Sequence, residues 1–273
     1  MDLQEYCLSF KDKILQRFPN TNLENPQTFT DKMQWLKLYD TSMLKAYCAD
    51  KIHVRDYCQE KIGKDLGIPI LAIYDKPEQI EWDKLPNEFV LKCNHGSGMN
   101  IIVKDKNTLN KTEACQKLNR WLSTKYGDGH LYELHYNLIT PKILIEKYEL
   151  LDGASLADYR FWCFNGEPKF LSINYGFGHG GFNFYDLDGN ILKYNNLNYP
   201  ADFNRKDKMP TSIKEMIDYS TKLCKDFKFV RVDFFEINNE PKLAELTFMH
   251  NGGAITWADK ETDIELGKML SLK

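Results

Sequence analysis

Arg231 and Asp233 stand two residues apart in the run Val230-Arg231-Val232-Asp233-Phe234-Phe235. In an extended chain such a pair shares one face, while Val232 and Phe234 take the other. Glu245 and Thr247 repeat the spacing in the next apolar stretch, with Leu246 and Phe248 opposite. A three-residue turn at Asn238-Asn239-Glu240 sets position 233 across from position 245, so two carboxylates converge. Carboxylates at that range repel unless a proton or a cation offsets the charge. Mg²⁺ meets the demand, because it takes carboxylate oxygens together with nucleotide phosphates. Arg231 beside it offers charge-assisted hydrogen bonds to a phosphoryl or carboxylate oxygen. The same residues also suit an Arg–Asp–Glu ion-pair network on a solvated sheet face.

A second constellation lies upstream. Lys92 and Asn94 alternate with Leu91 and Cys93, directly before His95-Gly96-Ser97-Gly98. A glycine-containing loop exposes backbone N–H groups to phosphates, and a lysine on a strand adds a fixed positive charge. The spacing is not that of a P-loop, and an ordinary β-turn beside an exposed lysine reads equally well. Arg55 is a candidate for a substrate carboxylate. His179, within Gly176-Phe177-Gly178-His179-Gly180-Gly181, belongs either to an acceptor loop or to a plain turn. His130 and His135 lack a third metal ligand and read as polar or packed side chains. Asp186-Leu187-Asp188-Gly189-Asn190 lacks the spacing of a calcium loop.

The elements that must position these residues follow from periodicity and turn chemistry. Residues 1–62 read as mainly helical, with Thr30 capping a helix from Asp31 and shorter helices at 39–51 and 53–63. A strand is expected at 70–74, and a hairpin from 89–93 and 100–103 around the glycine loop. Next come a helix at 112–125 capped by Thr112, a strand at 142–148 and a turn at Asp152-Gly153. Hairpins follow from 159–164 with 169–174 and from 182–185 with 190–194. A helix at 213–224, a last hairpin from 229–237 with 242–248, and helical turns from Glu261 complete the chain. This order lacks the strand–helix rhythm of a parallel doubly wound sheet. It predicts an α+β fold with antiparallel sheets and a small mixed sheet near the N-terminus.

The chain has 273 residues, enough for one large domain or two to three packed ones. With 36 Lys plus Arg against 39 Asp plus Glu, no basic excess points to a nucleic-acid partner. The odd number of cysteines and the lack of a Cys-x-x-Cys pair fit a reduced, cytoplasmic setting. No signal pattern opens the chain, and no apolar run approaches the roughly 20 residues of a membrane span. Peripheral work on membrane-linked substrates stays open.

Four motifs, in order, carry a family resemblance. They are Phe-Val-Leu-Lys-Cys-Asn-His-Gly-Ser-Gly at 89–98, Ile-Leu-Ile-Glu-Lys-Tyr at 143–148, Asp-Tyr-Arg-Phe-Trp-Cys-Phe-Asn-Gly at 158–166, and Arg-Val-Asp-Phe-Phe through Glu-Leu-Thr-Phe at 231–248. Over about residues 30–258 the chain resembles the ATP-grasp superfamily, and within it the TupA-like group associated with surface-polysaccharide or teichuronopeptide synthesis. The resemblance implies two α+β subdomains gripping ATP behind an N-terminal helical and mixed region. The corresponding segments are 1–85, 86–148 with the glycine loop, and 149–273 with the metal site.

It further implies that Lys92 binds ATP phosphates, that His95, Gly96, Ser97 and Gly98 cover them, and that Glu146, Lys147 and Tyr148 form the adenine hinge. Asp233 and Glu245 match the metal-binding acids, for Mg²⁺ or Mn²⁺, and Arg231 the arginine that stabilises the transferring phosphoryl group. Thr247 departs from the asparagine usual at its position. Asn251 either compensates for it or, with Arg160, joins Arg55 and His179 among the substrate-binding candidates. The implied activity is an ATP-dependent carboxylate–amine ligase acting on a uronic-acid glycan or a small-molecule acid. A glycosyltransferase and a non-catalytic glycan-binding module are the alternatives.

Overall fold

Thr28 caps the first long helix. Its hydroxyl accepts the Asp31 N–H, and the Asp31 carboxylate accepts the Thr28 N–H in return, a capping box that satisfies two orphan donors. The expected cap, Thr30, is the second residue of the helix and is bonded to Asp263 through both its backbone N–H and its hydroxyl. Asn110 likewise displaces Thr112 as the cap of the later helix, its side chain accepting the Glu113 N–H. In both cases a Thr or Asn three residues before an acid outcompeted the residue nearer the apolar pattern.

The computed structural model describes residues 1–129, 131–149, 157–175 and 181–273. His130, the turn at Asp152-Gly153 and the segment 176–180 with His179 lie outside the described residues. Five helices come first: α1 (Leu3–Leu8), α2 (Lys11–Arg17), α3 (Phe29–Tyr39), α4 (Met43–Ala49) and α5 (Val54–Ile62). The strands β1 (Ile70–Tyr74), β2 (Phe89–Cys93), β3 (Asn100–Val103) and β4 (Ile143–Lys147) form one sheet in the order β1-β4-β2-β3. Every pairing in it is antiparallel, so the mixed sheet expected near the N-terminus is not formed. β1, from the 1–85 segment, is an edge strand of this sheet. α6 (Lys111–Leu122) packs against β2.

The second sheet has six strands. β5 (Ala157–Phe164), β6 (Glu167–Tyr175), β7 (Asn183–Asp186), β8 (Ile191–Leu192), β9 (Phe229–Ile237) and β10 (Glu240–Thr247) lie in the order β10-β9-β5-β6-β7-β8, all antiparallel. α7 (Ile213–Leu223) precedes β9, and α8 (Lys260–Met269) follows β10. Both faces of this sheet are buried, so its central strands are not simply alternating. Phe161, Val230, Val232 and Phe234 pack with α5 and α7 on one side. Trp162, Phe164, Phe170 and Phe229 pack with Phe29 and Met33 of α3 and Leu266 of α8 on the other.

α8 is tied to α3: Asp263 accepts both Thr30 bonds, and the Lys32 ammonium donates to the carbonyls of Gly267 and Leu270 at 2.7 and 2.6 Å. All seven thiols are free, and Cys115 on α6 alone among them is not buried. Among the described residues no helix is long and apolar enough to cross a membrane.

Candidate active site

The site begins where the aromatic face of the second sheet turns polar. Along β9 the side chains on that face run Phe229, Arg231, Asp233, Phe235. Opposite them stand Phe164, Trp162 and Arg160 of β5, and Thr247 and Glu245 of β10. The pairing of Asp233 with Glu245 arises by a different route from the one expected. The hairpin turns on two residues, Asn238 and Asn239, both left-handed (φ 54° and 61°), a requirement asparagine meets more easily than most residues. A two-residue turn alone would set Ala244 across from Asp233. A β-bulge between Leu243 and Glu245 absorbs that residue and brings Glu245 onto the Asp233 register.

Arg231 is the hub of this face. Its Nε and Nη2 donate to the two Asp233 oxygens at 2.7 and 2.5 Å, and Nη2 also reaches Thr247 Oγ1 at 3.2 Å and Glu245 Oε1 at 3.5 Å. Nη1 meets Nδ1 of His250. His250 is fully buried, and burial together with Arg231 holds its ring well below the usual histidine range, so the imidazole is neutral and accepts through Nδ1. Its Nε2 has no partner among the described residues. Burial pushes the Asp233 carboxyl up, to about 7, against the lowering pull of Arg231. Burial works the same way on Glu245, but Arg231 and Lys51 outweigh it and hold that carboxyl below its ordinary value. Thr247 Oγ1 donates to Glu245 Oε1 at 2.9 Å.

The donor set suits a hard divalent cation that keeps phosphate and water among its ligands. Glu245 lines the cleft with its side chain one-third exposed, whereas Asp233 is 2% exposed and has both oxygens on Arg231. Glu245 is therefore the more accessible oxygen donor of the two. Asp233 would join it by giving up one Arg231 bond, and the Thr247 hydroxyl is already engaged by both Arg231 and Glu245.

From the first sheet, Lys92 and Glu146 form an ion pair at 2.5 Å across β2 and β4. Together with Lys51 they face Phe235 and Leu243 of the second sheet across a gap of about 40 Å³. Lys51 was not singled out from the sequence. It follows α4, and its ammonium donates to the Gly96 carbonyl at 2.5 Å, close enough to Glu245, Lys92 and Glu146 to interact with all three. The signal for it was faint: a helical pattern broken at Asp50. Asp50 explains the break, since its carboxylate takes bonds from Asn94, the Ile52 N–H and His53 and so pins this turn beneath the glycine loop.

A larger cleft of about 480 Å³ is lined by Ser97, Glu133, Arg160, Arg231, Glu245 and Asn251 among others. Arg160 is held by Asp158 at 2.8 and 2.5 Å and lies over the Phe182 ring. Phe182 in turn stacks on Tyr199. Glu133 was also missed. It sits at an irregular turn before 134–138, and burial pushes its carboxyl up to about 7, partly offset by Lys37.

Other candidates are placed elsewhere. His95 is 2% exposed, bonded to the Trp121 carbonyl, and faces a separate cavity of about 730 Å³ beside α1 and α6. Arg55, by contrast, lines the gap with Lys92 and Glu146, its fork donating to Asp65 and to the Ile68 carbonyl. Lys147 donates its N–H to the Pro69 carbonyl at 2.9 Å.

No protein of curated function matches the sequence. Among solved structures, an L-amino acid ligase from Bacillus licheniformis superposes with a TM-score of 0.52 at 13% identity, over 90% of this chain and 56% of that one. A D-alanine–D-alanine ligase from Bacillus anthracis, solved with ATP, gives 0.43 at 18% identity, over 74% and 55%. Its counterpart from Helicobacter pylori gives 0.48 at 15%, over 89% and 69%. The chain thus spans little more than half the length of the first two. The sequence pattern of one family, TupA-like ATPgrasp, matches residues 31–271, and the chain, with its two antiparallel sheets facing across a cleft, belongs to that family.

Proposed function

We propose that this chain is an ATP-dependent ligase that activates a carboxylate as an acyl phosphate and joins it to an amine. The observation that carries the reading is the Arg231–Asp233–Glu245 cluster opening onto a cleft that Ser97 of the glycine loop also lines, with Lys51 close enough to Glu245 to lower its carboxyl pKa and Lys92 beside Lys51. Such an arrangement gathers positive charge and oxygen ligands where a triphosphate and an acid meet. In this reading a carboxylate oxygen attacks the terminal phosphorus of ATP, the bond to ADP breaks, and the acyl phosphate then yields an amide and phosphate. Lys92 and Lys51 hold the phosphates, and Ser97 and Gly98 cover them. Arg231 stabilises the transferring oxygens. Glu245, with Asp233, would hold Mg²⁺ or Mn²⁺, which supplies charge neutralisation at the phosphate oxygens. Adenine would lie against Glu146–Tyr148.

The substrate we favour is a uronic-acid carboxylate on a surface glycan or its precursor, coupled to an amino acid or simple amine. This substrate rests on the family association, and the cleft agrees with it: Arg160 and Asn251 can meet a carboxylate, and Tyr199 offers an exposed ring. Work in the cytoplasm, with peripheral contact to membrane-linked glycan machinery, fits that assignment. The test pairs glucuronate, galacturonate and amino acids with amines, following ADP and product mass. Joined substrates less one water, formed with ADP, establish ligation. Cleavage of a sugar nucleotide without ADP formation would instead make the chain a glycosyltransferase.

A further inference from the structure

Glu133 lines the same cleft as Arg231, Glu245 and Thr247, yet among the described residues its carboxylate accepts no hydrogen bond. The other charged groups there are committed. Arg231 holds Asp233, Arg160 holds Asp158, and Glu245 is bonded to Thr247. The charges that act on Glu133 come from three elements: Lys37 of α3, Glu245 of β10 and Arg231 of β9. Lys37 is fully buried, with its ammonium on Gln34 Oε1 at 2.6 Å, and Gln34 in turn donates to the Gly253 carbonyl. Glu133 thus feels Lys37 and Arg231 without a direct ion pair to either, and lines the cleft.

Resting on the ligase reading, we propose that Glu133 receives the incoming amine and takes its proton. An amine arrives as an ammonium ion and cannot attack until one proton leaves. Glu133 accepts that proton and returns it to solvent. The nitrogen then attacks the acyl carbon: the C–N bond forms, the C–O bond to phosphate breaks with its electron pair on oxygen, and the second amine proton leaves with the phosphate. Formation of the acyl phosphate needs none of these transfers, so Glu133 belongs to the second half-reaction only.

Full-length wild-type, Glu133→Gln and Glu133→Asp chains would be compared with ATP, Mg²⁺ and glucuronate. The nucleophile would be glycine in one arm and hydroxylamine, which is already unprotonated at neutral pH, in the other. ADP, amide and hydroxamate are read together with the thermal midpoint. With glycine, Glu133→Gln should lose about 10²–10⁴-fold in amide formation, the usual worth of a positioned base. Hydroxamate should stay within about threefold of wild type, and Glu133→Asp should recover part of the glycine reaction. Wild-type amide formation in Glu133→Gln overturns the proposal, and so does an equal loss with both nucleophiles. Wild-type chain that makes no acid-dependent ADP overturns the ligase reading itself, and this inference with it.

Discussion

Arg231 is both the centre of the proposed chemistry and a buried structural ion, and the two roles predict different costs on mutation. Glu245→Gln alters a side chain that faces the cleft. ADP release should fall by about 10²-fold, in line with loss of one preorganised charge, while the urea midpoint stays near wild type. Arg231→Ala also strands Asp233, and breaking a buried pair costs about 3–5 kcal/mol. That variant should lose both turnover and stability in urea denaturation, and equal stability of the two variants would argue against the buried pair. Lys51 makes a third residue-scale prediction. Nucleotide at about 100 times its Kd stabilises a binder by about 2.7 kcal/mol. ATP should therefore raise the thermal midpoint of the wild type, and Lys51→Met should lose most of that rise.

The final hairpin shows how an element can be right for an unforeseen reason. Asn238 and Asn239 both adopt the left-handed conformation, so Asn239→Gly should stabilise the fold by up to about 1 kcal/mol. Asn239→Val should cost about 1–2 kcal/mol. Urea denaturation measures both, with ADP release unchanged in the glycine variant. The strand periodicity of 229–237 showed that Arg231 and Asp233 share a face, and the order of motifs marked the glycine-loop hairpin and β4. The bulge at Ala244 was not legible, because its residues look like any others in an alternating run. Caps failed similarly at Thr30 and Thr112, where Thr28 and Asn110, each three residues before an acid, took the capping bond instead. Lys51, Glu133 and His250 were invisible for a deeper reason: each sits on an irregular segment, where no periodicity marks the direction a side chain takes.

For the molecule as a whole, buried bases tie stability to pH. Burial holds His135 down to about 3, against 6.5 for an ordinary histidine. Between those values the unfolded chain binds a proton that the folded chain refuses, so stability is complete above about pH 6.5 and is lost as pH falls toward 3. His250 acts in the same direction. A plot of thermal midpoint against pH should slope downward on the acid side of 6.5, and His135→Gln should flatten it. An unchanged slope in that variant would assign the acid limb to other groups.

The clasp between α3 and α8 joins Thr30 to Asp263, 233 positions apart. A ribosome delivers residues in order, so α3 emerges long before the partner that covers it. Until then Phe29, Met33 and Leu36, all fully buried in the finished fold, have no Leu266 to pack against. The aromatic core beneath Arg231 is thus sealed by a segment made long after α3. Such late, long-range closure slows folding and leaves apolar surface open to aggregation in the meantime. Completion of this face therefore waits for the emergence of residues 263–270, long after α3 has been made.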